Sequence, residues 1–425
     1  MAVLQFFIDQ VFGVAAVFLG LIAFAGLLLQ KKSFTEIMSG TFKTAIGVVI
    51  LQQGAGILVG SLLPLAGSVS ALTPGGVEAP TMADADFMAA YGFEIGIAMI
   101  FGFLLNLLVA RFTKWKAVFL TGHMLYWFPF VFVGVGVSAG LSGAPLLLVA
   151  SVTTALYYVI MPNLVRPYIR DVTGDDSFTL GHPSTVFVLL GGYLAGKFGD
   201  KSKSTEDLPL PKNLSFLKEV AITGTIVVML AYVVVMLLLM AMGIDHMAAF
   251  GIGDGFLRFI IETSLMFGAG LTVLLLGVRM MIAEIVPAFT GIQEKLIPNA
   301  IPAYDCPLLF PFAPNAVIIG FIISMIVSTI VIVITSGLGI FAFVVVPVVI
   351  ACFFEVGTAA VVGNARGGRR GAYIASIASG IAIVFLMGFS LPFLSGTIAG
   401  WMMVFGGQDF SLWAIIQGGI LRIFT

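Results

Sequence analysis

Apolar segments of about 20 residues recur from one end of this chain to the other. A helix needs about 20 consecutive apolar residues to cross the hydrocarbon core of a bilayer. Hydrophobic residues make up 60% of the 425 and charged residues 10%, against about 25% charged residues in a typical soluble domain. Because the pattern continues to the C-terminus, the first apolar segment is not simply a cleaved signal peptide. The sequence therefore predicts an all-α polytopic membrane protein.

Eleven segments are predicted to cross the membrane. Short loops rich in Lys and Arg follow the first, third, fifth and ninth of them, and such residues accumulate in cytoplasmic loops. The connection 67–90 carries acidic residues and contains no Lys or Arg. This alternation places the N-terminus outside the cell and the C-terminus in the cytoplasm. The predicted spans lie near residues 8–29, 44–66, 92–110, 117–139, 145–162, 219–243, 257–285, 315–335, 339–361, 372–393 and 399–422.

Two further segments, residues 171–197 and 286–314, do not fit a simple span. The first lies between two basic stretches, so it has to enter and leave on the cytoplasmic side. The second is interrupted by prolines, yet it is too apolar for a water-filled loop. Non-helical backbone is tolerated at membrane depth only inside protein or beside a watery cavity. Both segments are therefore predicted to be re-entrant hairpins.

The two hairpins lie near the ends of two halves of the chain. Five spans in each half would give the halves opposite orientations, as in transporters whose inverted repeats surround a midplane substrate site. A faint similarity between residues 36–47 and 284–295 agrees with such a repeat. The predicted organisation is a first repeat at 1–197, a cytoplasmic connector at 198–218, a second repeat at 219–393 and a terminal helix at 394–425.

Asp305 lies within the second hairpin, in the apolar sequence AIPAYDCPLLFPFAPNAV. A carboxylate at membrane depth costs about 3 kcal/mol on insertion scales, so it needs a partner. It could cap a helix of the hairpin or pair with a basic side chain. It could also accept hydrogen bonds from neighbouring hydroxyl groups of a polyhydroxylated solute, and a low local dielectric strengthens such bonds.

Two histidines suggest further contacts to such a solute. His182 lies in the first hairpin directly before Pro183, which ends any helix at that point. His123 lies within the predicted span 117–139, and Trp127 follows four residues later on the same helical face. An imidazole and an indole on one face suit a sugar-like ligand. Both histidines could equally be packing residues with satisfied hydrogen bonds.

Other polar residues in apolar segments are open to structural explanations. Arg279 and Glu284 are five residues apart and are expected to pair. Gln52 and Gln53 could form hydrogen bonds between helices or line a site.

Several function classes find no support in the sequence. The net charge of −1 gives no reason to expect nucleic acid as a partner. The two cysteines form neither a disulfide framework nor a zinc-binding spacing, and no Walker A or HExxH motif is present. We therefore predict a transporter with no cofactor, no metal site and no catalytic residue, driven by an ion gradient or by a separate protein.

Two alternatives to a protein-driven permease are considered. A proton-coupled secondary transporter of a polyhydroxylated solute would use Asp305 or Glu284 to carry the proton. An intramembrane enzyme finds support only in the three histidines of the chain.

Five stretches carry a resemblance to a known family: LTGHMLY, SFTLGHPS, STEDLPLPKNL, LGVRMMIAEIVPAFTGIQEKLIPNAIPAYDCP and FPFAPNAVIIGF. In order and over essentially the whole chain, they resemble the ascorbate-specific permease (IIC component) family of the bacterial phosphoenolpyruvate-dependent sugar phosphotransferase system. The resemblance implies eleven helices in two inverted repeats, a homodimer in the bacterial inner membrane, and an elevator motion of a core domain against a dimerising scaffold. It also implies separate IIA and IIB phosphoryl-carrier proteins, with IIB phosphorylating the solute on the cytoplasmic side.

The resemblance further implies a set of substrate contacts, which this chain matches in part. Three positions depart from the family pattern: Met82 stands where a tyrosine is typical, and Trp127 and Pro183 stand where glutamines are typical. Glutamine forms hydrogen bonds to the ring oxygens of ascorbate that tryptophan and proline cannot replace. The predicted solute is therefore L-ascorbate or another sugar, sugar acid or polyol. The predicted substrate-binding residues are Thr81, Met82, His123, Trp127, His182, Pro183 and Asp305.

Overall fold

The computed structural model describes residues 14–71, 77–207, 216, 219–253, 255–346 and 348–424. Parts of the predicted elements lie outside the described residues: 1–13 and 72–76 of the first repeat, 208–215 and 217–218 of the connector, 254 and 347 of the second repeat, and 425 of the terminal helix.

Most of the described chain is helical, as the sequence predicts. The helices are α1 (Ala15–Leu29), α2 (Phe34–Ser70), α3 (Asp84–Phe112), α4 (Met124–Ser138), α5 (Gly143–Thr173), α6 (Thr185–Phe198), α7 (Val220–Ala241), α8 (His246–Phe250), α9 (Phe256–Lys295), α10 (Pro314–Gly337), α11 (Gly357–Ser390), α12 (Ala399–Phe405) and α13 (Asp409–Phe424). A helical turn (Val349–Ala351) and a π-helical segment (Cys352–Val356) lead into α11. The remaining elements are three short strands, β1 (Ala117–Phe119), β2 (Thr179–Leu180) and β3 (Ile301–Tyr304), the 3₁₀ helix Cys306–Phe312, and a three-residue 3₁₀ turn at Leu391–Phe393.

Seven helical runs of the described chain are long and apolar enough to cross a bilayer, which confirms a polytopic membrane protein. They lie in α2, α3, α5, α7, α9, α10 and the run Val349–Phe393, while α1, α4 and α6 are apolar but shorter. The count of eleven spans and the inverted repeat stay predictions. The similar segments 36–47 and 284–295 form the first turns of α2 and the last turns of α9.

The run Val349–Phe393 reverses direction within α11. Gly367 (φ −147°, ψ 23°) and Gly368 (φ 58°, ψ −160°) are not helical. A Cβ at Gly363 would lie 2.7 Å from the carbonyl oxygen of Gly371, although residues eight apart in a straight helix are separated by about 12 Å. The two arms of α11 therefore fold against each other. Glycine is suited to this turn because it adopts positive φ without a Cβ clash.

Three predicted spans are not continuous helices in the structure. Residues 399–422 form two helices, α12 and α13, because the chain breaks between them at Gly407, which has φ 87°. Residues 117–139 form strand β1, a turn and the 15-residue helix α4 instead of one continuous helix, because β1 bonds to another strand. Residues 339–346 of the predicted ninth span are not helical. There Gly339 has φ 62°, in the left-handed region that commonly follows the end of a helix.

Both segments predicted as hairpins contain a strand followed by a turn. In 171–197, α5 ends, β2 follows, and α6 runs back. In 286–314, residues 286–295 continue α9, and the break from helical structure comes after them. Strand β3 then leads into the 3₁₀ helix.

The strands form one three-stranded sheet in the described chain, which the sequence analysis did not predict. β3 is the central strand and pairs in parallel with β1 on one side and β2 on the other. Ala117 lies opposite Ile301, and Leu180 lies opposite Tyr304. The sheet therefore joins both hairpins to the segment before α4.

The helices pack as two groups. In the first group, α2 and α9 pack closely together, and α1 and α7 pack against them. In the second group, α3 to α6 pack with α10, α11 and α13. The sheet connects elements of the second group, while β3 is reached directly from α9 of the first.

Glycines at intervals of seven residues let α2 and α9 approach at backbone distance. A Cβ at Gly47 would lie against the backbone of Met281, and one at Gly54 would lie against the backbone of Leu274. The contacts run in opposite order along the two helices, so the helices are antiparallel. Small residues permit this approach in membrane proteins. The glycines at this contact are Gly47 and Gly54 in α2, and Gly270 and Gly277 in α9.

The expected Arg279–Glu284 pair is wrong. Glu284 Oε1 lies 3.1 Å from Lys43 Nζ, so this ion pair joins α9 to α2. Arg279 is exposed. Residues five apart lie about 140° apart around a helix axis, which explains why they do not meet.

We expect Gly277→Ala to lower the thermal unfolding midpoint of the purified protein. Its methyl group would overlap the backbone of Leu51 and Gly47, and overpacking of this kind costs about 1–3 kcal/mol. Gly56→Ala in α2 is the matched control, because a Cβ there meets no atom within 4 Å. Equal midpoints for the two variants would show that glycine contact does not hold α2 on α9.

Candidate functional site

Three polar side chains follow the carboxyl ends of the three parallel strands. Asp305 comes directly after β3, His182 follows β2 by two residues, and His123 follows β1 by four. Since the carboxyl ends of parallel strands meet at one edge of a sheet, the three side chains converge there. Each of them stands out individually in the sequence, and the sheet explains why they are neighbours.

The carboxylate of Asp305 lies between the two imidazoles. Its Oδ2 is 3.7 Å from Nε2 of His123, and its Oδ1 is 3.5 Å from Nε2 of His182. Asp305 is 8% exposed and His182 is 4% exposed, whereas about a third of the His123 side chain is exposed. The His123 side of the cluster is therefore the side open to a ligand. We call these three residues the His–Asp cluster.

Neighbouring groups orient the cluster. The Cys306 N–H donates a hydrogen bond of 2.7 Å to Asp305 Oδ1, which places Asp305 as the cap of the 3₁₀ helix. The Ser184 hydroxyl is 2.7 Å from Nδ1 of His182 and so restrains the ring. Both explanations considered for Asp305 are thus compatible, since it caps a helix and also faces the site.

The chemistry of the cluster suits two kinds of ligand. One ligand atom from each residue lies within 4.8 Å of the others, and two imidazoles with a carboxylate can bind a divalent transition metal. The same atoms can also bind hydroxyl groups, because a carboxylate accepts hydrogen bonds while each neutral imidazole offers one donor and one acceptor.

A small cavity adjoins the cluster at the boundary between the two helix groups. Its volume is about 20 Å³, which is room for about one water molecule. Gln52 and Met281 line it from the first helix group, and Thr121, His123 and Asp305 line it from the opposite side. Of the two interpretations of Gln52, site lining therefore agrees with the structure.

Trp127 extends the site along α4. Its backbone N–H donates to the carbonyl of His123, as the spacing of four residues predicts. Its ring stacks on the ring of Trp401, with 5.0 Å between centroids and 29° between planes. Trp401 is 5% exposed, so this pair forms an aromatic wall one helical turn from His123.

The other predicted contact residues lie around this wall and the first hairpin. The Thr81 hydroxyl accepts from the N–H of Gly400 at 2.9 Å, and the Met82 N–H donates to the carbonyl of Thr397 at 2.7 Å. Both therefore pack on the segment before Trp401. The Pro183 carbonyl accepts from the N–H of Asp409 at 3.2 Å.

Two residues beside the site, Trp401 and Asp409, were not predicted from the sequence. Asp409 is fully buried and lies within the predicted span 399–422. An ionisable residue inside a span is a functional candidate by itself, so this signal was available. Nothing in the sequence pairs Trp401 with Trp127, because that contact joins α12 to α4.

Known proteins resemble this chain over nearly its whole length. A family model described as the sugar-specific permease component of the phosphotransferase system matches residues 10–410. The chain belongs to this family. The permease is 25% identical to the ascorbate-specific phosphotransferase-system EIIC component of Mycoplasma pneumoniae, over 97% of its own length and 70% of that protein.

Family membership confirms the resemblance and two further predictions. The permease is a multi-pass membrane protein and a transporter subunit of the sugar phosphotransferase system. It is not itself the enzyme of that system, since a separate IIB protein carries out phosphoryl transfer.

We expect Asp305→Asn to abolish sugar uptake while leaving the amount of permease in the membrane unchanged. The amide would turn an NH₂ donor toward one imidazole and lose one acceptor oxygen. A site that depends on buried hydrogen bonds can lose orders of magnitude in activity when such a bond is lost. Uptake per inserted molecule is the measurement. Asp245→Asn, in the loop before α8, is the control, and normal uptake by Asp305→Asn would remove Asp305 from the site.

Proposed function

We propose that this permease binds L-ascorbate or a related sugar, sugar acid or polyol outside the cell and delivers it to the cytoplasmic side, where a separate IIB protein phosphorylates it during uptake. The observation that carries the proposal is the convergence of His123, His182 and Asp305 beside a cavity between two helix groups. Thr81, Met82, Trp127 and Pro183 are proposed as additional contacts.

The His–Asp cluster supplies the chemistry for a hydroxyl-rich solute. Two neighbouring hydroxyl groups can donate to the two oxygens of Asp305, and the imidazoles of His123 and His182 can donate to or accept from others. Burial strengthens these bonds because the local dielectric is low. In the proposed step, Asp305 orients the hydroxyl that receives the phosphoryl group from a phosphorylated cysteine of IIB.

The identity of the solute depends on the wall formed by Trp127 and Trp401. An indole excludes the hydrogen bonds that a glutamine at position 127 would make, and it offers an apolar surface for the C–H face of a sugar ring. Pro183 likewise offers no side-chain donor. These two positions favour a solute that is held by stacking at one end and by the His–Asp cluster at the other.

The size of the cavity supports a moving transporter. A volume of about 20 Å³ is far below the roughly 300–1,000 Å³ of pockets that hold drug-sized ligands. A sugar can reach the His–Asp cluster only if the two helix groups separate or slide. We propose an elevator motion in which the second helix group carries the solute past the first, within a homodimer.

Crosslinking across the cavity provides a test of this motion. We expect the double variant Gln52→Cys and Thr121→Cys, joined by a short reducible crosslinker, to lose uptake and to regain it on reduction. Each single variant treated alike is the control, and the native Cys306 and Cys352 are buried. Full uptake by the crosslinked protein would exclude sliding at this boundary.

The proposed orientation places the N-terminus outside and the C-terminus in the cytoplasm of a bacterium. The turn of α11 then faces the cytoplasm with Arg366, Arg369 and Arg370, and Lys197 lies at the end of the adjacent helix α6. This basic surface is the proposed docking region for the IIB protein, with IIA as the preceding phosphoryl carrier.

Reconstitution tests the proposed function. Vesicles that contain the permease and receive IIA, IIB and a phosphoryl donor on the side equivalent to the cytoplasm should accumulate phosphorylated ascorbate or another phosphorylated solute of the same class. Free solute inside, together with uptake that a protonophore abolishes, would instead favour the proton-coupled secondary transporter.

We expect Trp127→Gln to shift the solute preference toward ascorbate. The glutamine restores a side chain that can form hydrogen bonds with oxygen atoms on the ring of the solute. A site that forms such bonds discriminates strongly against solutes that lack the matching groups. Thermal-shift titrations with ascorbate, pentitols, hexitols and aldonates would compare the variant with wild type. Trp115→Gln, in the loop between α3 and β1, is the control, and identical profiles for Trp127→Gln and wild type would exclude Trp127 as a specificity residue.

A further inference from the structure

Asp409 is fully buried at the first position of α13 and binds the start of α6. Its Oδ1 accepts from the N–H of Val186 at 2.7 Å, and its Oδ2 accepts from the N–H of Thr185 at 3.1 Å. The hydroxyl of Thr185 also donates to Oδ2, as does that of Tyr157 at 2.6 Å. This set of donors satisfies a carboxylate that would be very costly to bury alone.

These bonds supply a cap that α6 lacks in its own sequence. Ser184 occupies the N-cap position, but its side chain makes no capping hydrogen bond. Its hydroxyl is engaged with the ring of His182 instead. The first N–H groups of a helix need acceptors, and negative charge is favourable at that end. Asp409 therefore caps α6 from a helix more than 200 residues later in the chain.

The same residue restrains the turn that carries His182. The Asp409 N–H donates to the carbonyl of Pro183 at 3.2 Å. The Tyr157 hydroxyl, which contacts the Asp409 carboxylate, also lies 3.2 Å from the carbonyl oxygen of His182. The residue before His182, Gly181, donates its N–H to the carbonyl of Tyr304 at the end of β3. Asp305 follows directly after this strand. The His182 backbone is thus held between β3 and Asp409.

We propose that Asp409 is a positioning residue for solute binding, which holds α6 and the His182 turn in register with Asp305. This inference rests on the proposed function of the His–Asp cluster as the solute site. It also makes the start of α13, which lies beyond both proposed repeats, part of the unit that binds solute.

Asp409→Asn tests the proposal with two readouts on the full-length permease. The first is hydrogen–deuterium exchange at the amides of Thr185 and Val186, which we expect to become about tenfold faster as their charged acceptor is lost. The second is the kinetics of ascorbate phosphorylation in vesicles with IIA and IIB. The apparent KM should rise about tenfold with a smaller change in maximal rate, since binding geometry is affected more than the phosphoryl transfer by IIB.

Asp245→Asn is the matched control for this variant. Asp245 caps α8 by accepting from the N–H groups of Met247 and Ala248, but it is exposed and lies outside the site. We expect unchanged KM and unchanged exchange in α6. Tyr157→Phe provides a milder second variant, which removes the hydroxyl beside the His182 carbonyl and should also raise KM.

The outcomes separate the cap, the positioning role and the proposed function. If the amides of Thr185 and Val186 exchange at the wild-type rate in Asp409→Asn, Asp409 does not cap α6. Faster exchange with unchanged KM in Asp409→Asn would overturn the positioning role. If Asp409→Asn does not fold, unchanged KM in Tyr157→Phe would overturn that role instead. If the wild-type permease phosphorylates no solute with its carriers, the proposed function fails, while the exchange comparison still decides whether Asp409 caps α6.

Discussion

Backbone hydrogen bonding at the break points of the helices is the constraint on which the site depends. Where the chain leaves helical structure among apolar neighbours, its N–H and C=O groups need partners inside the protein. Three such breaks, at β1, β2 and β3, supply those partners to one another as a parallel sheet. Since all three strands run the same way, the residues that follow them meet at one edge. The pairing that satisfies the backbone thereby assembles the His–Asp cluster.

Two buried aspartates illustrate different uses of a carboxylate in this environment. Asp409 receives four hydrogen bonds from α6 and Tyr157, so its oxygens are fully engaged and its role is to hold structure. Asp305 receives one backbone bond, from Cys306, and otherwise faces two imidazoles at 3.5 and 3.7 Å. Those longer separations leave acceptor capacity that a hydroxylated solute can use. The difference in bonding explains why only Asp305 is proposed as a contact to solute.

In the proposed site, the residues that would bind any hydroxyl-rich solute differ from those that would select among solutes. His123, His182 and Asp305 depend on the sheet, and any solute with vicinal hydroxyl groups could use them. The aromatic wall of Trp127 and Trp401 depends instead on packing between α4 and α12. A change at position 127 can therefore alter which solute fits without disturbing the strands. For this reason the family of the chain is clear, while its solute is proposed only as a chemical class.

Sequence alone determined the membrane class, most of the long helices and the three members of the His–Asp cluster, because apolar periodicity and a charge within an apolar segment are local signals. It did not determine the sheet, whose strands of two to four residues carry no periodicity and gain stability only from one another. The Lys43–Glu284 pair, the Trp127–Trp401 stack and the cap from Asp409 likewise escaped prediction. Each joins residues far apart along the chain or on helix faces whose neighbours are unknown in advance. Tertiary structure alone decides those contacts, because a buried polar or aromatic group bonds with whatever the packing of helices places beside it.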